Sequence, residues 1–373
     1  MPLKKKAKEC FLALDVGTEA VKALVFEKEQ KCFILGSALE YFDDSRPFDN
    51  EKVILRVAEE AVGMSGKTPA GLLLTFPADI LRSRVSFKSI NRRKPEKIIQ
   101  KKEEQGIHQF IFKETEKEVA ESFARNYGIM PQDIQFVDFE ILEIKIDGYN
   151  VPVLSGYSGE NLEFRILATF LPKDYLNKFK KVIKNPHFKF QKIINPVKGL
   201  AGALEIASGI FLDVGGQVTQ ICLVRNGRID MINEFRRGGE DFSLAISQAL
   251  GMRSAEARYL KERYARGELT EETRKRIKEI MAPACREWLF GLKSKIKAVK
   301  GLLPSAFLLF GGGSQLPEIE ELISEEENKI KLVYPKDFKN IVDGTHFINN
   351  PQYINVILLC YAPLETSHGA QWY

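Results

Sequence analysis

The chain has 373 residues, 44% of them hydrophobic and 28% charged, a length beyond what one core usually holds and a composition ordinary for a soluble globular protein. Its 55 basic residues stand against 50 acidic ones, and a formal charge of +5 is too balanced to point to nucleic acid. The five cysteines are odd in number, widely spaced and without a C-x-x-C pair, which excludes a disulfide framework or cysteine metal site and suits buried thiols in a reducing compartment. His108, His187, His346 and His368 share no metal-ligand spacing. No apolar stretch reaches the roughly 18 residues of a membrane span, and none of signal-peptide length follows the basic start, so a cytoplasmic chain is expected.

In chain order, residues 11–14 and 21–26 are apolar runs of buried-strand length, with a turn expected at 15–18. Residues 31–41 complete a meander. Asn50 is placed to cap a helix whose apolar residues Val53, Ile54, Val57, Ala58, Ala61 and Val62 recur at helical steps. Residues 71–76 read as another buried strand, closing a β-β-β-α-β unit. From 82 to 170 a helical stretch (116–127) and two alternating segments (134–146, 162–170) predict a small inserted α+β module. The unit then recurs: strands at 209–213, 219–224 and 228–235, and a helix at 240–250 with Phe242, Ala245, Ile246 and Ala249 on one face, stopped by Gly251. Charged helices at 255–266 and 271–299 predict a second, helical insertion, with Trp288 and Phe290 in its core. An apolar strand at 305–310 runs into Gly311, Gly312, Gly313 and Ser314, then into a helix opening at Pro317 and Glu318. A last helix is expected at 353–362. Basic clusters at 4–6, 92–94 and 178–192 read as solvated surface, with an acidic partner or anionic lipid as the alternative.

The two units share a feature with chemical meaning: Asp15-Val16-Gly17 and Asp213-Val214-Gly215 stand at the same place in each. A strand that ends in Asp-x-Gly and reverses sets a carboxylate and several backbone N–H groups at one lip of a sheet. Two such lips face to face make a phosphate clamp with a place for hydrated Mg²⁺. The triple glycine at 311–313 adds bare backbone that a flat or anionic ligand can approach closely. A GxxxxGK[ST] loop and a GxGxxG turn after a strand are both absent.

These three pieces resemble the phosphate 1, phosphate 2 and adenosine motifs of the actin, Hsp70 and sugar-kinase superfamily. The resemblance implies an α/β fold of duplicated actin-like, ribonuclease H-like domains around a nucleotide cleft. Within it, Ile146-Asp147-Gly148-Tyr149, Pro152, Gly156, Gly159 and Leu162-Glu163-Phe164-Arg165 resemble the segment that crosses the SHS2-type 1C module of the FtsA family, shared more loosely with PilM proteins. The implied division is 10–82 and 186–206 for the first lobe, 83–185 for the 1C module, 207–250 and 300–345 for the second lobe, 251–299 for a helical subdomain, and 346–363 for a helix returning to the first lobe.

The resemblance also implies roles. Asp15 and Asp213 would face the Mg²⁺ of a bound ATP, mainly through water; Gly17, Thr18, Lys22, Gly215 and Gly216 would hold phosphate. Gly311, Gly312, Gly313 and Ser314 would line the adenosine side, with Glu256 near the ribose and Lys261 beside it, two positions past Tyr259, where the family places its lysine. Asn195 occupies a water-positioning place. Gln217, Val218 and Gln220 replace the Gly, Thr and Asp of the usual second turn; Gln220 can orient water but is no carboxylate base, so slow hydrolysis or none is expected.

FtsA-like function would be polymerisation and an adaptor role in cell division, with an FtsZ-like tail as partner and ATP favouring the closed cleft. The alternative is a PilM-like part in type IV pilus assembly that binds a membrane protein's tail; a sugar kinase is the enzyme-class rival, without a convincing catalytic Asp. Residues 363–373 show no apolar helical period, so membrane contact is expected only through partners.

Overall fold

Every residue of β1 (Cys10–Val16) is buried, because helices cover both faces of its sheet and an apolar run is what such a strand needs. The computed structural model describes residues 9–42, 51–185, 187–297, 299, 301–324 and 329–362. The expected Asn50 cap, the basic run at 4–6, His368 and the tail at 363–373 lie outside the described residues.

β1 pairs antiparallel with β2 (Ala20–Lys28), which pairs with β3 (Cys32–Tyr41). α1 (Glu51–Ser65) buries Ile54, Val57, Ala58 and Ala61 on this sheet, and β4 (Gly71–Thr75) returns parallel to β1. Asp15 and Val16 prove to be strand residues, so the turn is Gly17 to Glu19 and not 15–18.

The inserted module follows: β5 (Arg82–Asn91), α2 (Lys101–Tyr127), β6 (Ile134–Ile146), β7 (Tyr149–Asn150) and β8 (Asn161–Pro172), in a sheet of order β5-β8-β6-β7. α2 starts fifteen residues before the expected 116, since its first half offers a thin apolar stripe with Gly106 inside it. It packs Ile111, Val119, Ala120 and Phe123 on the sheet. α3 (Lys173–Lys178), α4 (Lys180–Ile183) and β9 (Phe190–Ile193) lead back to the edge of the first sheet, and α5 (Leu200–Leu204) crosses to the second lobe.

There β10 (Gly209–Val214), β11 (Thr219–Arg225) and β12 (Arg228–Phe235) repeat the meander. α6 (Gly239–Leu250) ends at Gly251, whose φ of 66° is the left-handed cap expected of glycine. It buries Phe242, Ser243 and Ile246, while the expected core residue Ala249 is exposed. α7 (Ser254–Ala265) and α8 (Glu271–Lys297) form the helical insertion. Trp288 is fully buried, its Nε1 donating to Thr219 Oγ1 at 2.9 Å; Phe290, expected in the core, is 76% exposed on the opposite face. β13 (Ala306–Phe310) then runs parallel to β10, as β4 does to β1.

α9 (Pro317–Ser324), β14 (Lys329–Leu332), β15 (Ile341–Asp343) and α10 (Ile354–Leu359) complete the described residues, α10 being shorter than the expected 353–362 because Tyr353 belongs to a preceding 3-10 turn and the N–H groups of Cys360, Tyr361 and Ala362 bond to carbonyls three residues back. The sheets read β15-β3-β2-β1-β4-β9 and β12-β11-β10-β13-β14, so each lobe carries the same five-strand order and the duplication is structural. One core joins them: Phe26 and Leu73 of the first sheet, Phe211 and Phe310 of the second, and Ile354, Ile357 and Leu358 of α10 share it, each large side chain contributing about 2 kcal/mol. α10 thus underlies both cleft walls.

Candidate functional site

The paired lips have the same construction. Gly17 N–H donates to Ala20 O at 2.9 Å, and Gly215 N–H donates to Val218 O at 3.0 Å. A Cβ on Gly17 would lie 2.8 Å from Ala20 O, and one on Gly215 would lie 2.9 Å from Val218 O. Any side chain would therefore spread the turn, which is why the sequence repeats glycine two residues after each aspartate. Strand register sets Asp15 opposite Lys22 and Asp213 opposite Gln220.

The two lips enclose a cavity of about 390 Å³. Asp15, Gly17, Thr18, Lys22 and Asn195 line it from the first lobe, and Asp213, Gly215, Gly216, Gln220, Lys261, Gly311 and Gly312 from the second. Lys22 Nζ is 3.0 Å from Asp15 Oδ2, a nearly buried ion pair. Asp213 has no such cation. Its Oδ2 accepts from Asn355 Nδ2 at 2.7 Å, and its pKa is pushed up to about 7 by enclosure and by Asp15, against the pull of the Asn355 hydrogen bond and of Lys22. Gly311, at φ 86°, lets the chain pass Asp213: a Cβ there would meet Asp213 Oδ1 at 2.4 Å and Val214 O at 2.6 Å.

Other contacts cross the cleft. Gln217 N–H donates to Thr18 Oγ1 at 3.0 Å, joining the two tips. Arg258 of α7 lies over the Tyr41 ring at 4.3 Å, and Tyr41 OH donates to Gln352 Oε1 at 3.2 Å. The carbonyls of Gly215 and Gly216 receive the Gly239 and Glu240 N–H groups of α6, each at 2.8 Å, so the second lip is pinned to a helix start. Lys261 Nζ donates to Gly239 O at 2.6 Å, and burial lowers its pKa.

Not every expected residue reaches the cavity. Glu256 is exposed and pairs with Arg253, closing the start of α7. It does not line the cleft. Gly313 and Ser314 are buried behind the wall that Gly311 and Gly312 present; Ser314 Oγ is bonded to Gly311 O at 2.7 Å and so supports the turn. Asn195 lines the floor, where its Nδ2 donates to Ser83 Oγ at 3.0 Å, tying the site to the inserted module. Sequence reading missed Tyr41, Arg258 and Asn355, because each gains its meaning from a partner far along the chain.

The donor set fits a polyphosphate carrying a divalent cation. Asp15 and Asp213 face one cavity between two glycine turns, whose lining also holds Glu19, Glu262, Lys22, Lys261 and Arg266, and Mg²⁺ normally needs only one or two carboxylates beside phosphate oxygens and water. No cluster of three or more potential metal ligands occurs among the described residues, so a metal held by protein alone is not indicated.

No family profile matches the sequence, and no curated protein does. Solved structures do match. The chain superposes on a protein of a PilM-PilN type IV pilus biogenesis complex with a TM-score of 0.70 at 16% identity, covering 95% of this chain and 99% of that one. The ethanolamine utilization protein EutJ from Carboxydothermus hydrogenoformans gives 0.53 at 13% identity, over 96% and 91% of the two chains. A Bacteroides thetaiotaomicron protein described as having an actin-like ATPase fold matches more weakly, at 0.43 and 10% identity over 96% and 97%. The fold is actin-like. The two Asp-Val-Gly lips face each other across the cleft, and the Gly311 turn is its third wall. No helix among the described residues is long and apolar enough to cross a membrane.

Proposed function

We propose that this chain is a PilM-like adaptor that binds ATP with Mg²⁺ between its lobes and engages the cytoplasmic tail of a membrane protein in type IV pilus assembly. The observation that carries the reading is the likeness over 95% of this chain and 99% of a PilM chain, an extent too large to leave out the inserted module. The cell-division reading shares the cleft but not this support, which moves the favoured partner from an FtsZ-like protein to a pilus membrane protein.

Asp15 and Asp213 line the cleft and would hold the metal through water, and Lys22 and Thr18, which line it too, would meet phosphate oxygens between the glycine turns. Lys261, Gly311 and Gly312 bound the nucleoside side. The chemistry that Mg²⁺ would supply there is neutralisation of phosphate charge. Gln220 is an amide and takes no proton from water, so turnover is slow and binding is the working event.

Calorimetry with ATP and Mg²⁺ tests the nucleotide half. The parent chain binds, and Asp15→Asn or Asp213→Asn each weakens binding by about tenfold or more, about 1.4 kcal/mol. A parent chain without ATP affinity removes the reading. Affinity purification from membranes in the presence of ATP tests the partner half: recovery of a pilus membrane protein supports it, and recovery of an FtsZ-like protein in its place overturns it.

A further inference from the structure

The two aspartates of the cleft are not equivalent, and a residue outside both lips accounts for part of the difference. Asp15 has Lys22 at its register position and pairs with it at 3.0 Å. Asp213 has the neutral Gln220 there, and its Oδ2 is held by Asn355 Nδ2 at 2.7 Å. Asn355 stands on α10, which packs on β1 and β4 of the first lobe, so this bond reaches across the cleft floor. The Asn355 amide nitrogen is turned toward the Asp213 carboxyl and the carbonyl oxygen away from it. That oxygen, Oδ1, is buried and has no hydrogen-bond partner. Asn355 lines the same cavity as Asp15 and Asp213, and water held by a divalent cation is a strong donor that both carboxylates attract.

We propose that Asn355 is a positioning residue for the hydrated divalent cation: its Nδ2 fixes the Asp213 carboxyl across the cleft floor, in the place from which Asp213 meets the cation's water. The proposal rests on the nucleotide reading above and adds the residue that gives the metal its grip. It makes α10, which underlies both lobes, the element that senses whether the nucleotide carries its metal.

The test is ATP titration by calorimetry, with Mg²⁺ and with EDTA, on the full chain and on Asn355→Leu, which keeps the size but removes donor and acceptor. The gain in ATP affinity on adding Mg²⁺ is expected to fall about tenfold in the variant, with affinity in EDTA kept within about twofold of the parent. Asn355→Ala serves as the second variant should the leucine disturb folding, with the same expectation. An equal loss with and without Mg²⁺ marks a structural role and overturns the proposal, as does an unchanged Mg²⁺ gain in a folded variant. A parent chain that binds no ATP overturns this proposal and the nucleotide reading together, whereas a Mg²⁺-dependent parent with an unaffected variant overturns this proposal alone.

Discussion

At the residue scale, the contrast between Asp15 and Asp213 comes down to one position in each turn. Seven residues after the first aspartate the chain has Lys22, and seven after the second it has Gln220; strand pairing converts that difference into an ion pair on one lip and none on the other. The carboxyl of Asp213, enclosed and facing Asp15, therefore rises from 3.8 to about 7. A carboxyl raised on folding binds its proton more tightly in the folded chain, so it favours the fold while protonated and opposes it once ionised. In metal-free buffer the melting temperature of the parent should thus fall as pH rises from about 4 to about 7, between the unfolded and folded values. Asp213→Asn should melt with a flatter profile over that window, since other groups are common to both chains. Identical slopes by calorimetric scanning would refute the assignment. The two aspartates and their glycines were legible in the sequence because they lie within one hairpin each, whereas Lys22 was expected against phosphate and its pairing with Asp15 shows only in the strand register. Asn355 was not, since 142 positions separate it from Asp213 and no local pattern announces the contact.

At the element scale, the inserted module belongs by connection to the first lobe but is tied by charge to the second. Edge strand β5 lies beside edge strand β12, with side chains instead of backbone bonds across the junction. Glu234, 3% exposed, accepts from Arg82 Nε at 2.9 Å, from both Arg84 terminal nitrogens at 2.8 and 2.6 Å, and from Tyr127 OH at 3.2 Å. The Arg82 guanidinium also lies 4.1 Å from the Tyr127 ring centre. With two guanidiniums on it, Glu234 has a pKa below the ordinary glutamate value although burial opposes this. Truncation to Glu234→Ala leaves Arg82 buried and without its carboxylate, at a cost of about 3–5 kcal/mol. The expected result is a lower urea midpoint, with earlier hydrogen exchange in β5 and at the end of α2; a midpoint within experimental error of the parent would show that the cluster contributes no net stability. The repeated meanders and Gly251 cap were readable as elements because period and punctuation are local. The start of α2 and the exposure of Phe290 were not, because a helix between two surroundings shows its faces only when the neighbours are in place.

At the scale of the whole molecule, the lobes are joined on three sides of the cleft. The tips meet through Gln217 and Thr18, the floor through Asn355 and Asp213, and the mouth through Arg258 and Tyr41. The inserted module adds Arg165 with Asp230 at 2.9 Å and the ion pair of Arg228 with Glu143, beside the Glu234 cluster. A ligand shifts an equilibrium only by its different affinity for the two states, and here the joined state already has most of its contacts. ATP with Mg²⁺ should therefore tighten the parent without a wide hinge motion. A compact chain of this length has a radius of gyration of about 21 Å, and small-angle scattering should show the parent changing by less than about 1 Å when nucleotide is added. The double variant Glu234→Ala, Arg228→Ala removes the Glu234 cluster and the Arg228–Glu143 pair, leaves only Arg165 with Asp230 of the ion pairs named here, and keeps the cavity lining intact. Without nucleotide it should scatter as a larger and more variable particle, and saturating ATP with Mg²⁺ should bring it back toward the parent value. A parent that itself contracts by several ångströms on binding would mean that the inserted module does not hold the lobes together and that the cleft works as an open hinge.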